Sequence, residues 1–496
     1  MKNRLFLPFW GIIMWLFVSC SHEIEIFSSV DEPSPLVENY AGMVVPPNMA
    51  PINFFVDAQD GQEALVLVSD GKKLSAVCKD GAIIPEMGQW KAWMKEVQGK
   101  EVQAKHCKLE DGKWISYQAF TFRVAEEEID PYLAYRLIPP GYALWNEMGI
   151  YQRNLENFEE SAILENTKTD RNCMNCHSFC MQSPEKMMFH SRAKHAGTVL
   201  LNGDDIKKLE TKTDQTISAL VYPYWHPSGK YIAFSVNDTK QLFHTNHVNR
   251  IEVMDLSSDV VVYDVERNEI ITTPLTFGQE SFETFPSFSA DGKTLYFCSS
   301  SKQELPDNIE KLKYHLCAIG FDEATGTFGT RVDTLIHAGK MDKSVSFPRI
   351  SPDGRYLMVT LSDYATFPIW HQEADLWMLD LQRGNNLIPL DAWNSSSVES
   401  YHSWSSNSRW VVFSSRRGDG LYTRPYIAYV AADGTIGKPF VLPQAKGDFY
   451  QECMNSFNIP ELVKGKVDVN QYQLVQKVLD EQKEQVRFKK KESVSK

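Results

Sequence analysis

Two cysteines and a histidine stand together in the segment Cys173-Met174-Asn175-Cys176-His177. Cys-x-x-Cys-His is the pattern by which c-type haem is attached to protein. Two thiols three positions apart on one turn can each form a thioether to one vinyl group of the porphyrin, and the adjoining imidazole can bind the iron. The pattern therefore predicts one covalent haem on Cys173 and Cys176, with His177 as an axial ligand.

A second axial ligand is expected shortly downstream, where Met188, His190 and His195 occur. A methionine ligand would raise the reduction potential of the iron, and a second histidine would lower it. We expect His190 to bind, with His195 and then Met188 as alternatives. A five-coordinate iron, or a ligand from elsewhere in the chain, remains open. Arg192 or Lys194 would pair with the porphyrin carboxylates.

Other cysteine chemistry also remains open at this segment. A structural zinc site would use Cys173, Cys176, Cys180 and a histidine, and a disulfide would join Cys176 to either neighbouring cysteine. His244 and His247 lie in a polar loop and are more typical of solvated histidines than of a metal site. The sequence has no nucleophile elbow, phosphate-binding loop, zinc-peptidase helix or dinucleotide fingerprint. An enzyme is therefore not the favoured class.

The N-terminus predicts export. Lys2 and Arg4 precede an apolar stretch that ends at Ser19-Cys20, which is the order of a secretory signal peptide. The small residue before Cys20 resembles a bacterial lipobox, and this resemblance implies a lipidated thiol and an anchor in the cell envelope. An uncleaved anchor helix is the alternative, but the apolar run is short for the roughly 20 residues that span a bilayer. We assign 1–20 to the signal peptide and 21–46 to an acidic tether.

Export also affects how the other cysteines are interpreted. Disulfides form in oxidising compartments, so Cys78 could pair with Cys107, and Cys298 with Cys317. Buried free thiols are equally compatible with the sequence. Haem attachment in bacteria takes place outside the cytoplasm, so the export signal and the haem motif support each other.

Short β runs separated by Asp-Gly pairs fill the first part of the mature chain. Such runs indicate antiparallel hairpins, and we expect a small β-sandwich-like domain followed by a connector from about 131, together spanning 47–170. The haem segment, 171–196, is expected to follow as a separate unit.

An internal repeat organises the second half of the chain. The segments 223–234, 286–297, 348–359 and 402–413 align as strand, tight turn and strand, and a third and a fourth strand follow each of them. Four antiparallel strands per repeat predict a propeller blade. The Ser-Pro-Asp-Gly turn resembles the TolB-type, WD40-like propeller family, which implies a propeller over 197–465. We expect five to seven blades, with 197–201 and 458–461 completing one of them, and a charged helical tail over 466–496.

The chain as a whole is therefore predicted to be mainly β. Its net charge of −13 disfavours a nucleic-acid partner. A similar Asn-Cys-x-x-Cys-His-Ser-Phe segment precedes a TolB-like propeller in a group of Bacteroidetes envelope lipoproteins, which this chain resembles beyond residue 130. We expect a membrane-tethered cytochrome-like protein for electron transfer or redox sensing, whose propeller docks a partner. The alternatives are an interaction module with a structural haem or zinc, and a haem enzyme with an open sixth site.

Overall fold

The computed structural model describes residues 24–36, 40–56, 59–139 and 147–489. The predicted signal peptide and Cys20 lie outside these residues. In the described part of the chain, no helix has the length and apolarity needed to cross a bilayer.

The N-terminal region is a β domain with one helix. Its strands are β1 (Ile26–Ser29), β2 (Val44–Val45), β3 (Phe54–Phe55), β4 (Glu63–Ser69), β5 (Lys72–Val77), β6 (Ala82–Ile83), β7 (Glu101–Glu110), β8 (Lys113–Ser116) and β9 (Phe120–Val124). Seven of them form one sheet, and β3 pairs with β6 beside it. Helix α1 (Met87–Glu96), which the sequence analysis did not predict, is capped by the Glu86 carboxylate and buries Trp90, Trp93 and Met94 at the spacing of one helix face.

The predicted tether is part of this domain. Strand β1 pairs with β8, β2 pairs with β9, and Met43 and Val45 are buried in the domain core. The expectation of an acidic tether over 21–46 was therefore wrong for the described residues, because apolar side chains interrupt the acidic ones and pack into the sheet.

The rest of the chain forms six antiparallel sheets of four strands, with added strands at the rim of two of them. Blade 1 contains β10 (Tyr132–Ile138), β11 (Gly149–Asn154) and β12 (Glu160–Glu165). Blade 2 contains β13 (Met174–Phe179), β14 (Lys186–Ser191), β15 (Gly197–Asn202) and β16 (Asp205–Glu210). Blade 3 contains β17 (Leu220–Trp225), β18 (Tyr231–Phe243), β19 (Ile251–Asp264) and β20 (Glu269–Ile271).

The remaining blades follow in chain order. Blade 4 contains β21 (Ser281–Phe288), β22 (Thr294–Ser301), β23 (His315–Asp322) and β24 (Thr327–Ile336), and α2 (Ala338–Met341) follows it. Blade 5 contains β25 (Ser344–Ile350), β26 (Tyr356–Ser362), β27 (Asp375–Asp380) and β28 (Asn386–Pro389). Blade 6 contains β29 (Glu399–Trp404), β30 (Trp410–Ser415), β31 (Arg424–Tyr429) and β32 (Phe440–Val441), followed by α3 (Phe449–Glu452).

Blade 1 is completed from the far end of the chain. Strand β33 (Ser456–Val463) pairs with β10, so the last blade strand joins the first one. The innermost strands β33, β13, β17, β21, β25 and β29 each contact the next one around a closed ring. The molecule therefore has a six-bladed propeller, within the range of five to seven that the repeats predicted.

The domain boundaries differ from the predicted ones. The expected connector forms blade 1, and the expected haem segment, 171–196, forms the two inner strands of blade 2. Residues 197–201 belong to blade 2 and 458–461 to blade 1, so they do not complete one blade together. Blades 1 and 2 do not show the repeat pattern, because β33 is remote in sequence and the turn after β13 is Cys180-Met181-Gln182 rather than Ser-Pro-Asp-Gly.

The C-terminal tail is helical only in part. Helix α4 (Gln471–Leu479) is followed by β34 (Glu484–Gln485) and β35 (Arg487–Phe488). Strand β34 pairs with the outer strand of blade 2, and β35 with that of blade 3. The tail therefore covers the outer edges of these two blades, which would otherwise expose unpaired backbone groups.

A shared core attaches the N-terminal domain to blade 6. The indole of Trp410 is fully buried with side chains of both regions and donates a hydrogen bond of 3.2 Å to the Glu127 carbonyl. Beside it, the Ser406 hydroxyl donates a hydrogen bond of 2.6 Å to the Asp130 carboxylate. Apolar burial and these polar contacts fix the domain against one side of the propeller.

Candidate functional site

One backbone feature recurs at the centre of all six blades. Each innermost strand contains a β-bulge, and one residue of each bulge has a positive φ between 48° and 53°. These residues are Cys176, Tyr222, Phe285, Phe347, Tyr401 and Ile459. All six line one cavity of about 920 Å³ in the propeller centre. A bulge turns a side chain away from its regular face, and here it turns six of them toward the channel.

Both cysteines of the motif line the central cavity. Residues three apart on a regular strand face opposite sides, but the pairing of β13 with β14 is interrupted between Asn175 and Ser178. Both Cys173 and Cys176 line the central cavity, as do His177 and His190. The motif was expected on a turn. Instead Cys173 directly precedes β13, and Cys176 and His177 lie in the bulge of that strand.

His177 is buried, and the Ile459 backbone lies near enough to its ring to stabilise the charged form weakly. The side chain of His177 is 1% exposed, and neither ring nitrogen makes a hydrogen bond within the described chain. Burial, with a smaller contribution from the Arg136 guanidinium, lowers the pKa of His177 to about 3. A neutral imidazole with unused nitrogens at a cavity wall is suited to bind a metal, although burial of this kind also occurs at blade 6, as described below.

Of the candidate second ligands, His190 is the one at the cavity. Its Nδ1 lies 2.9 Å from the Thr198 hydroxyl, while its Nε2 has no partner in the described chain. The Nε2 of His195 is 3.0 Å from a carboxylate oxygen of Asp170. Met188 is fully buried in the hydrophobic core between blades 2 and 3. Neither His195 nor Met188 lines the cavity, so the geometry favours His190.

Cys180, the third cysteine of the predicted zinc set, lies elsewhere. It packs with Met188 and Trp225 in the core between blades 2 and 3, and its thiol is 3.9 Å from the His226 carbonyl. In the described residues, three or more metal-binding side chains nowhere come together in a cluster. The zinc alternative therefore loses its third sulfur ligand.

Neither of the two disulfides that the sequence left open is present in the described chain. Cys78 and Cys107 are not joined to each other, and Cys298 and Cys317 are not either. Cys298 lies opposite Leu316, and Cys317 opposite Phe297, on paired strands. Because adjacent residues point to opposite faces of a sheet, Cys298 and Cys317 belong to different cores.

A long hairpin covers part of the cavity. Strands β18 and β19 extend beyond blade 3, and we call residues 237–257 of this hairpin the arm. Its Glu252 carboxylate lies 2.9 Å from His371 and accepts a hydrogen bond of 2.7 Å from Tyr364. Burial alone would lower the pKa of His371, but hydrogen bonds to Glu252 and Glu373 outweigh it and raise the pKa to about 9. The charged pair holds the arm on blade 5 at neutral pH.

The two histidines of the inserted loop lie at the tip of the arm. The rings of His244 and His247 are 5.3 Å apart, and His247 accepts a hydrogen bond of 3.0 Å from the Asn249 amide. They do not line the central cavity, which agrees with the interpretation as loop residues.

The basic residues near the motif have separate positions. Lys194 pairs with Asp170 at 2.8 Å, on the exposed surface. Arg192 is exposed and lines the rim of the cavity. Arg136 is buried beneath the motif, where it donates hydrogen bonds to the Met174 carbonyl at 3.3 Å and to the Asn175 side chain.

Sequence reasoning missed the aromatic and cationic wall of the cavity. Tyr222, Phe285, Phe347 and Tyr401 stand one residue before the four aligned repeats, and extending that alignment by one position would have found them. Arg349 lies inside the third repeat, where the other repeats have Tyr224, Ser287 and Ser403. No sequence pattern points to Arg416, because it lies in the loop after β30.

Comparisons with known proteins concern the fold. No family model matches the chain, and no curated protein does. Among solved structures, a TolB-type protein of Agrobacterium tumefaciens is 14% identical, with 62% of this chain and 88% of that one covered and a TM-score of 0.38. A DUF4784 family protein of Bacteroides caccae is 9% identical, with 82% and 96% covered and a TM-score of 0.30.

Prolyl oligopeptidase B of Galerina marginata is 11% identical, with a TM-score of 0.33. The match covers 63% of this chain but only 44% of that enzyme. The likeness is one of fold alone.

Proposed function

We propose that this protein is an exported, lipid-anchored cytochrome-like protein that carries one c-type haem in the central cavity of its propeller. It serves electron transfer or redox sensing, and the propeller docks the partner protein. The observation that carries the proposal is the convergence of Cys173, Cys176 and the buried, neutral imidazole of His177 on one cavity wall.

The residues present fit a covalent haem. Each thiol would add its S–H across one vinyl group of the porphyrin, so that a C–S bond replaces the π bond and the hydrogen goes to the second vinyl carbon. His177 and His190 offer nitrogen atoms that no other group of the described chain uses. A bound haem would supply a one-electron redox centre, whose potential two histidines would set lower than a histidine and a methionine would.

The surrounding side chains would position the group and exclude water. The inner-ring aromatics Tyr222, Phe285, Phe347 and Tyr401 provide flat apolar walls. The Thr198 hydroxyl fixes the ring of His190 through Nδ1 and leaves Nε2 without a partner in the described chain. The anchor at Cys20 would keep the protein at the membrane, and its support is the sequence of the signal region.

The first test is covalent attachment. The full-length chain is produced in a host with c-type maturation machinery and analysed by haem staining on a denaturing gel and by a pyridine haemochrome spectrum. Wild type should show a covalent c-type haem, and Cys173→Ala together with Cys176→Ala should abolish it. Cys180→Ala is the matched control, since Cys180 is buried outside the cavity, and it should keep the haem. Absence of haem from the wild type would refute the proposal.

The lipid anchor is tested separately on the same protein. Wild type should fractionate with membranes and incorporate labelled fatty acid, and Cys20→Ala should do neither. Release of wild type as a free periplasmic or secreted protein would refute the anchor and leave the haem proposal untouched.

A second function is favoured by one observation in blade 6. His402 occupies the position of His177 in its own blade, is 2% exposed and also has no hydrogen-bond partner for either ring nitrogen. Buried histidines of this kind therefore also occur in this propeller away from any thiol. In the alternative, the propeller is an interaction module and the Cys/His group has no redox role. Metal-free, haem-free wild type with full envelope function would favour it.

A further inference from the structure

One loop side chain reaches the centre of the propeller. Phe367 belongs to the loop of residues 363–374 between β26 and β27, which we call the blade 5 loop. Its ring centre lies 5.6 to 6.2 Å from the ring centres of the four aromatic bulge residues, Tyr222, Phe285, Phe347 and Tyr401. Aromatic pairs attract each other at such distances. Phe367 therefore joins the bulges of blades 3, 4, 5 and 6 into one aromatic cluster.

Part of this cluster is exposed to the cavity. Phe285 and Phe347 are each only 2% exposed. Phe367, Tyr222 and Tyr401 are half-buried and line the cavity, so their remaining exposed surface faces it. Blades 1 and 2 place no aromatic side chain at the equivalent bulge positions. The aromatic surface is therefore confined to the part of the cavity that blades 3 to 6 form.

The blade 5 loop is held on both sides of Phe367. Before it, the Thr366 carbonyl accepts a hydrogen bond of 2.8 Å from the Ser346 hydroxyl of the inner strand β25. After it, the His371 ring lies 2.9 Å from the Glu252 carboxylate of the arm. Apolar side chains of the arm also pack against the same loop. The position of Phe367 is therefore fixed by the inner strand and by the arm.

We propose that Phe367, Tyr222 and Tyr401 form the surface against which the flat ring of a tetrapyrrole packs in the cavity, and that Phe367 is its specificity-determining residue. The class of ligand rests on the proposed function. Flat conjugated rings pack favourably on aromatic side chains, and the blade 5 loop supplies a ring that no inner strand provides. This surface supplies a non-covalent part of binding that does not depend on the two cysteines.

The test removes the covalent bonds and the iron. The detergent-purified full-length chain with Cys173→Ala and Cys176→Ala is titrated with protoporphyrin IX, which contains no metal, and porphyrin fluorescence reports binding. In this chain Phe367→Ala should weaken binding by about three- to tenfold, the range for one aromatic contact. Phe367→Tyr should restore the affinity because it keeps the ring. Phe367→Leu should give an intermediate affinity because it keeps only the apolar volume.

A phenylalanine outside the cavity provides the matched control. Phe328 is also half-buried, and its ring centre lies 5.5 Å from that of Phe321 in the core between blades 3 and 4. Phe328→Ala should leave the affinity for protoporphyrin IX unchanged. A thermal melt of each variant confirms that it is folded. Equal losses of affinity in Phe367→Ala and Phe328→Ala would overturn the proposal, because the effect would then be one of general stability.

The outcomes are distinct from those of the haem proposal. Failure of protoporphyrin IX to bind, or equal affinities with and without Phe367→Ala, would overturn the aromatic surface even where the matured wild type carries covalent haem. Absence of covalent haem from the matured wild type is read on the gel and does not enter this titration. An affinity for protoporphyrin IX that depends on the ring of Phe367 would support the surface in either case.

Discussion

Blades 2 and 6 share one backbone feature but carry different side chains at it. Each inner strand bulges at a residue of positive φ, Cys176 in one blade and Tyr401 in the other, and a buried histidine follows. Burial lowers the pKa of both His177 and His402 to about 3. The other four blades place a proline after the bulge. The residue after the bulge is therefore buried in all six blades, and it is a histidine in two of them.

The difference between the two blades lies in their neighbours. In blade 2 a thiol replaces the aromatic side chain of the bulge, and a second thiol at Cys173 lines the same cavity. In blade 6 the position is occupied by Tyr401, whose ring packs edge to face against Phe367. The comparison teaches that a buried histidine alone is weak support for a metal site in this propeller, and that the two thiols carry the inference.

The largest effect is expected from matched alanine variants of the two histidines. His177→Ala should reduce recovery of covalent haem by roughly tenfold or more, the range that follows loss of a metal-ligand partner, and should change the spectrum of what remains. His402→Ala should leave haem content and spectrum as in wild type. Pyridine haemochrome per mole of protein and the visible spectrum measure both. Equal losses in the two variants would show that His177 acts through folding.

A second contrast concerns stability. By strand register, Trp410 in blade 6 corresponds to Lys186 in blade 2. Trp410 is fully buried in the core shared with the N-terminal domain, so Trp410→Ala should cost about 3–5 kcal/mol. Lys186→Ala removes a partly exposed side chain that lies over Trp225 and should cost less than about 1 kcal/mol. Urea unfolding followed by fluorescence checks both; similar costs would contradict the assigned packing.

The same contrast explains what could be predicted from the sequence. Blades 3 to 6 were recognised because Gly229, Gly292 and Gly354 provide the positive φ that their turns need, and blade 6 aligned with them. Blades 1 and 2 lack this turn chemistry, and the closing strand is more than three hundred residues from its partner β10. Local patterns do not encode such long-range pairing, so the predicted propeller started too late in the chain.

The site was predictable to the extent that its chemistry is local. The motif could be recognised from the spacing of Cys173, Cys176 and His177, and His190 follows shortly after it in the sequence. The structure brings these four residues to one cavity. Arg349 and Arg416 line the same cavity only because the ring of blades closes. Residues that face one cavity from different blades are far apart in the sequence, so no local sequence pattern indicates that they meet.

The pH dependence of blade 6 offers a third test. Burial lowers the pKa of His402 from 6.5 to about 3, so the folded state keeps this ring neutral while the unfolded chain binds a proton below pH 6.5. The contribution of a neutral His402 is therefore complete above that pH and is lost as the pH falls toward 3. His402→Pro, which adopts the residue of four other blades, should gain on wild type by up to about 1.4 kcal/mol per pH unit below 6.5. Urea unfolding at pH 7, 6 and 5 measures the gain; a constant difference would contradict the buried neutral state.

The smallest expected effect concerns the turn of blade 6, which lacks the glycine of blades 3 to 5. Ser408 has φ of 62° at that position, and its hydroxyl accepts a hydrogen bond of 2.9 Å from the Asp353 amide of blade 5. Ser408→Gly relieves the backbone strain but loses this bond, so stability should change by less than about 0.5 kcal/mol. Ser408→Ala loses the bond and keeps the strain, and should cost about 1–2 kcal/mol. Chemical unfolding should therefore rank alanine clearly below glycine, and the reverse order would show that the positive φ at this position carries no strain.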